Sequence, residues 1–239
     1  MRLGSQVGEP SKGKTMSEQI SRRKFFGAAA AVGAVVAGAG LAGCSSGSEQ
    51  AAAAAKPVIL VTSFGTSFAN SRHITIGAVE DDIREAFPDY DVRRAFTAQI
   101  IIDHVESDTG RHINNFEEAI AQCIEDGVKE IVVQPTHLTD GAEYSDIKAT
   151  FEENAASFDK AALGEPLLTT DDDYSKVIDA IAAAMKTYEA DDTAIVLMGH
   201  GNEGSPSPAY EKLQGMLEDA GHKSYIVTTV EQEDRKSVV

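Results

Sequence analysis

The sequence predicts an α/β fold in which a parallel β-sheet is flanked by helices. Apolar segments such as 56–63 and 193–198 alternate along the chain with segments of helical periodicity. Strands that are apolar throughout are typical of a parallel sheet covered by helices on both faces. Because ligands bind beyond the carboxyl ends of such strands, the loops that follow them are where we expect a functional site.

The strands are predicted from short apolar runs bounded by turn residues. The first, KPVILVTS, is followed by a turn at Phe64-Gly65-Thr66-Ser67. In chain order the predicted strands are 56–63, 90–95, 130–134, a short or extended piece at 165–168, 193–198 and 224–229.

The helices are predicted from periodicity and from end signals. In the first helix, Ile76, Val79 and Ile83 lie on one stripe, and Pro88 ends it. Asn114 and Glu117 have the spacing of a capping box for a later helix. The predicted helices are 72–87, 99–107, 114–126, 143–154, 171–188, with three aspartates in its first turn, and 206–220.

Residues 1–43 have the order of an export signal. The pair Arg22-Arg23 precedes a weakly hydrophobic stretch rich in Ala, Gly and Val, which ends at Leu-Ala-Gly-Cys44. The stretch is too short and too rich in glycine for a good membrane-spanning helix. We therefore predict a twin-arginine lipoprotein signal, a lipid on Cys44 and a flexible tether over 44–55. The protein would be anchored by lipid on the outer, periplasmic face of the cytoplasmic membrane.

The rest of the chain is strongly acidic and poor in cysteine. Residues 1–43 carry six basic and two acidic residues, which leaves 15 Lys and Arg against 36 Asp and Glu, a net charge of −21. Such a surface repels nucleic acid, so that class of partner is excluded. Cys123 is the one cysteine besides Cys44, which excludes a disulfide framework and a cysteine-based metal site.

Polar side chains follow several predicted strands. The loops carry Ser63 to Thr66, His137 with Glu143, and Gly199-His200-Gly201. Histidine and carboxylate together suit a divalent first-row metal or a proton-transfer pair. The alternatives are a hydrogen-bonded structural histidine, a tight Gly-His-Gly turn, and a glutamate that only interacts with a helix dipole. The spacing alone identifies no substrate.

Five motifs carry a resemblance that goes further. They are VTSFGTS (61–67), RRAFTAQII (93–101), QPTHLTDGAEY (134–144), GEPLL (164–168) with Tyr174, and VLMGHG (196–201). In this order and at these spacings, they resemble the anaerobic cobalt chelatase family of the CbiK type, the sirohydrochlorin cobaltochelatases. The resemblance covers about residues 56–231.

The resemblance implies a chelatase-like (class II) fold of two similar α/β halves facing a tetrapyrrole cleft. It implies insertion of Co²⁺ into sirohydrochlorin on the anaerobic route to cobalamin. His200 and Glu143 match the family's catalytic and metal-binding residues, and His200 would also accept a pyrrole proton. The implied substrate-binding residues are Ser63, Phe64, Gly65, Thr66, His137, Gly199 and Gly201.

The chain departs from the family pattern after Glu231. The family continues into a second half with a Gly-Asp-His-Ala-like motif, whereas this chain reads QEDRKSVV. We therefore expect a first domain at 56–192, a truncated start of the second at 193–231 and an atypical tail at 232–239, with activity of this chain alone in doubt. The alternative is a non-catalytic, lipid-anchored metal- or haem-binding protein, with His104 as a haem ligand at a subunit interface and a homo-oligomer left open.

Overall fold

The computed structural model describes residues 55–201 and 208–231. The predicted signal over 1–43, the lipidation site Cys44, nearly all of the tether and the tail 232–239 lie outside the described residues. No helix within the described ranges is long and apolar enough to cross a membrane.

The first sheet has four strands, all parallel, in the order β2-β1-β3-β4. They are β1 (Val58–Ser63), β2 (Asp91–Phe96), β3 (Glu130–Pro135) and β4 (Lys160–Leu163). All six residues of β1 are buried, as its uniformly apolar start predicts for a central strand.

Helices connect these strands and cover the sheet. They are α1 (Ala69–Arg72), which continues through a π-helical turn at His73–Gly77 into α2 (Ala78–Ala86), α3 (Gln99–Thr109), α4 (Phe116–Glu125) and α5 (Ala142–Asn154). α4 and α5 bury Ile120 and Ile147 against Val58 and Leu60 of β1 in one hydrophobic cluster. α2 packs against β2, where Glu80 meets Arg94.

The second sheet consists of the parallel strands β5 (Ile195–Gly201) and β6 (Tyr225–Glu231). α6 (Asp171–Met185) and α7 (Pro208–Asp219) pack on it. They contribute Tyr174 and Leu217 to a second hydrophobic cluster, which also contains Leu168. The prediction of helices on both faces is wrong for this sheet within the described residues, because Val196 and Met198 are 55% and 72% exposed.

The α/β class and the parallel strands are confirmed, and two local predictions are wrong. For the segment 165–168 the prediction of a short strand is wrong, since β4 forms earlier, at Lys160–Leu163, on the free edge of β3, and the alternative of an extended piece stays a prediction. The capping box of α4 is one residue later than predicted. Asn115 accepts from the Glu118 amide, and the Glu118 carboxylate accepts from the Asn115 amide, both at 2.9 Å.

Candidate functional site at the carboxyl edge

The carboxyl ends of β1, β2 and β3 lie side by side and bring their loops together. Ser63 is in register with Phe96, and Thr62 with Pro135. The Thr97 amide donates to the Ser63 carbonyl at 2.9 Å, and the Thr136 hydroxyl donates to the Ser63 hydroxyl at 3.0 Å. Ser63 is therefore a buried link between neighbouring loops rather than an open contact for a ligand.

The loop after β1 is fixed by contacts with Phe96 and Arg72. Gly65 has φ +102°, a conformation that favours glycine, and a Cβ there would lie 2.7 Å from the Phe96 ring. Arg72 donates from Nη1 to the carbonyls of Thr66 and Ser67, at 2.8 and 3.2 Å. The loop is thus fixed in shape, while the side chain of Phe64 remains 51% exposed beside it.

His137 lies just beyond β3 and carries two unpartnered ring nitrogens. Both are shielded from solvent, and neither has a hydrogen-bond partner in the described structure. Burial lowers the pKa of His137, and the nearby charge of Glu143 opposes that shift without cancelling it. The imidazole is therefore neutral near pH 7, with a lone pair that can accept a proton or a metal.

Glu143 lies in the first turn of α5 and is exposed. A carboxylate there is stabilised by the helix dipole, and an interaction with the dipole was one of the alternatives predicted for this glutamate. The same side chain also lines a recess of about 120 Å³ together with Thr97, Glu117 and Asp146. Three carboxylates around one recess create a negative potential that attracts cations.

His200 lies on the second sheet, on the face that the helices leave open. Side chains alternate along β5, so His200 shares the exposed face with Val196 and Met198. On the opposite face, a Cβ at Gly199 would lie 2.5 Å from the ring of Tyr210. Gly201 has φ +92°. Packing against Tyr210 thus favours glycine at position 199, and the positive φ favours it at position 201. These effects are independent of the predicted approach of a ligand.

The structure brings some predicted residues together and leaves others apart. His137 and Glu143 interact electrostatically, and Ser63 joins the loops after β1 and β3. Among the described residues no three His, Cys, Asp or Glu side chains form a group that could hold a metal. The sequence did not predict that Arg72 would hold the loop after β1 or that Thr136 would bind Ser63, although the motif QPTHLTDGAEY contains Thr136.

The comparisons with known proteins agree on one family. The family model "Cobalt chelatase (CbiK)" matches residues 57–237, three quarters of the chain. The chain belongs to the cobalt chelatase (CbiK) family. The resemblance predicted from the five motifs is thereby confirmed, since all five lie within the matched residues.

Two relatives of this chain show how far the similarity extends. The sirohydrochlorin cobaltochelatase of Salmonella typhimurium is 31% identical over 162 residues, which is 68% of this chain and 61% of the relative. The sirohydrochlorin cobaltochelatase CbiKC of Nitratidesulfovibrio vulgaris is 28% identical over 164 residues, 68% of this chain and 57% of the relative. The chain therefore spans about three fifths of the length of the curated relatives it matches.

Proposed function

We propose that this protein is a sirohydrochlorin cobaltochelatase, which inserts Co²⁺ into sirohydrochlorin. The observation that carries the proposal is the family match over residues 57–237, together with two relatives of that name. The structure supports it with a carboxyl edge that presents exposed apolar side chains beside a neutral histidine and several carboxylates.

The chemistry requires groups that bind a metal weakly and accept protons. Imidazole and carboxylate suit Co²⁺, and we assign His200 and Glu143 to this role. In that role the two side chains would share the Co²⁺ with the ring nitrogens of the tetrapyrrole. Two pyrrole protons must leave as the metal enters, and the neutral His137 is a further acceptor beside Glu143.

Charge supports the delivery of the metal. The chain as a whole carries a net charge of −17, and Glu117, Glu143 and Asp146 concentrate negative charge around the recess beside α5. A negative potential raises the local concentration of divalent cations. The same potential disfavours an anionic tetrapyrrole, so substrate binding needs a local positive group.

The experiment is anaerobic conversion of metal-free sirohydrochlorin by the purified protein with Co²⁺, followed by absorbance. We expect Co²⁺-dependent formation of cobalt-sirohydrochlorin. The variant His200→Ala should lower the rate about 100-fold or more. His104→Ala, which removes an exposed histidine from α3, is the matched control and should retain the rate. Equal rates for His200→Ala and the wild type would contradict the assignment of His200.

A second candidate is a non-catalytic metal- or haem-binding protein of the same fold. In this candidate His104, an exposed histidine on α3, would be the haem ligand. Stoichiometric binding of Co²⁺ or tetrapyrrole without turnover would support this candidate over the enzyme. For haem, a titration that saturates with the wild type and fails with His104→Ala would identify His104 as the ligand.

We also propose that the protein is exported and anchored by lipid. The support is the order of Arg22-Arg23, the apolar stretch and Leu-Ala-Gly-Cys44 in the sequence. Metabolic labelling with a radioactive fatty acid should label the wild type and leave Cys44→Ser unlabelled. Replacement of Arg22 and Arg23 by lysine should keep the protein in the cytoplasm. Labelling of Cys44→Ser equal to the wild type would contradict the anchor.

A further inference from the structure

Arg72 presents an open hydrogen-bonding edge, whereas Arg84, Arg93 and Arg94 are each paired with a carboxylate. Arg94 binds Glu80 through Nε and Nη2, and Arg93 binds Asp91 and Asp126. Arg72 has no carboxylate partner among the residues that the structure describes. Its charge is therefore available in a chain with an excess of negative charge.

The geometry leaves one particular edge of the Arg72 guanidinium unused. Both of its hydrogen bonds, to the carbonyls of Thr66 and Ser67, come from Nη1. The Nε and Nη2 groups make no hydrogen bond to the described part of the chain. These two groups form the side-on edge that binds a carboxylate with two parallel hydrogen bonds, as Arg94 does with both oxygens of Glu80 at 2.6 Å.

An exposed aromatic side chain accompanies this edge. Phe68 is the N-cap residue of α1, and the Arg72 amide donates to the Phe68 carbonyl at 2.9 Å, so the two residues lie one helical turn apart. Phe68 is 75% exposed and Phe64 is 51% exposed. An apolar surface beside a guanidinium matches a flat ring with acidic substituents on its rim.

We propose that Arg72 binds a carboxylate on the rim of the tetrapyrrole substrate, with Phe68 against the face of the ring. This inference rests on the proposed function and adds a recognition residue to it. It supplies the positive group that an acidic protein needs in order to hold a polycarboxylate. The two carbonyl bonds fix the direction of the guanidinium before the ligand arrives, which lowers the entropic cost of binding.

The test is equilibrium binding of metal-free sirohydrochlorin to the full chain at several salt concentrations. Arg72→Gln should weaken binding roughly 10- to 100-fold and make it less sensitive to salt, because a charge-assisted bidentate contact is lost. Arg72→Lys keeps the charge without the planar guanidinium, so its affinity for sirohydrochlorin should lie between those of the wild type and Arg72→Gln. Lys129→Gln removes one positive charge at the opposite, amino edge, immediately before β3, and should bind within about twofold of the wild type.

The salt series separates recognition from a purely structural role for Arg72. If Arg72 only held the loop at Thr66 and Ser67, Arg72→Gln would weaken binding without changing its salt dependence. That result, or equal affinities for Arg72→Gln and Lys129→Gln, would overturn the inference and leave the proposed function standing. A wild-type protein that binds no sirohydrochlorin would instead contradict the proposed function, and the inference with it.

Discussion

Tyr210 occupies the space that a side chain at Gly199 would need. An ideal Cβ on Gly199 would lie 2.5 Å from Cε1 of the Tyr210 ring and 2.7 Å from Cζ. The ring comes from α7, and Gly199 lies on the face of β5 that α7 covers. The glycine before His200 therefore allows α7 to pack closely on the strand that carries the histidine.

Replacement of Gly199 should loosen this packing. We expect Gly199→Ala to lower the free energy of unfolding by about 1–3 kcal/mol, the usual cost of forcing extra atoms into a packed site. Denaturant-induced unfolding followed by circular dichroism measures the change. Gly215→Ala in α7 is the control, since a Cβ there meets nothing within 4 Å, and it should be neutral or stabilising. A Gly199→Ala protein as stable as Gly215→Ala would contradict the contact.

The Glu80–Arg94 pair should be a second source of stability. Glu80 is 2% exposed and Arg94 30% exposed, with both oxygens of the glutamate paired at 2.6 Å. Removal of one partner leaves a charge without compensation, so we expect Glu80→Gln to cost about 2–3 kcal/mol, below the value for fully buried pairs. Urea denaturation measures this. The neighbouring Asp81→Asn breaks only an exposed pair with Arg84 and should cost less than about 1 kcal/mol.

A double replacement shows whether the loss of stability in Glu80→Gln comes from an uncompensated charge or from lost packing. Glu80→Leu with Arg94→Leu removes both charges and should be less destabilising than Glu80→Gln alone. If the double variant is the less stable of the two, the pair contributes by packing or by its hydrogen bonds and not by charge balance. Arg94 also lies 5.8 Å from the Phe96 ring centroid, and the Phe96 ring packs against Gly65 in the loop after β1.

The sequence predicted those parts of the fold that local patterns determine. The strand β1, with its apolar start, and the end of α2 before Pro88 follow from hydropathy and backbone chemistry alone. β4 was missed because KAAL is short and its first residue is charged, and its position depends on pairing with β3. The segment 165–168, which reads Glu-Pro-Leu-Leu, instead connects the two sheets. The Leu168 amide donates to the Leu138 carbonyl at 2.8 Å, and the Leu168 side chain is buried in the second cluster.

In the candidate site, too, some features could be predicted from local sequence and others depend on tertiary contacts. The meeting of the loops at the carboxyl edge could be predicted because parallel strands end together, whereas the substrate-binding roles of Ser63 and His137 stay predictions. The role of Arg72 could not be predicted, because it depends on how the loop folds back to bring two carbonyls to one nitrogen. The packing of Tyr210 on Gly199 is also a tertiary contact, with no signal in the local sequence. The assignments of His200 and Glu143 to the metal stay predictions.

His112 should make stability depend on pH. Its ring nitrogens lie 2.9 Å from carboxylate oxygens of Glu106 and Glu118, and these hydrogen bonds raise the pKa of His112. A raised pKa in the folded state stabilises the protein fully below the unfolded value near 6.5, and the effect is lost as pH rises through the folded pKa. His112→Gln should therefore be less stable than the wild type near pH 5.5 and about equal to it well above the folded pKa.

Nuclear magnetic resonance titration of the His112 ring measures the shift directly. We expect the wild-type ring to titrate above the ordinary value for histidine. In Glu106→Gln the ring should titrate lower than in the wild type, because one of the two carboxylates is gone while Glu118 remains. A His112 pKa at or below its ordinary value would contradict the bridge. So would a His112→Gln stability deficit that is the same at pH 5.5 and in alkaline solution.

The start of α4 gives a test between two readings of one sequence. Asn114 and Asn115 are each followed three residues later by a glutamate, so the capping-box pattern fits either register. In the structure the Asn115 side chain accepts from the Glu118 amide, while the Asn114 carbonyl accepts from the Phe96 amide at 3.1 Å. That bond joins the chain to the end of β2 and leaves Asn115 as the cap.

Replacement of each asparagine by alanine separates these readings. Asn115→Ala should lower the free energy of unfolding by about 1 kcal/mol, because the Glu118 amide loses its partner. Asn114→Ala should change it by less than about 0.5 kcal/mol, since the backbone carbonyl that pairs with Phe96 is retained. Thermal and urea unfolding of the two variants provide the comparison. A larger loss for Asn114→Ala would place the cap at Asn114, the register that was predicted from the sequence.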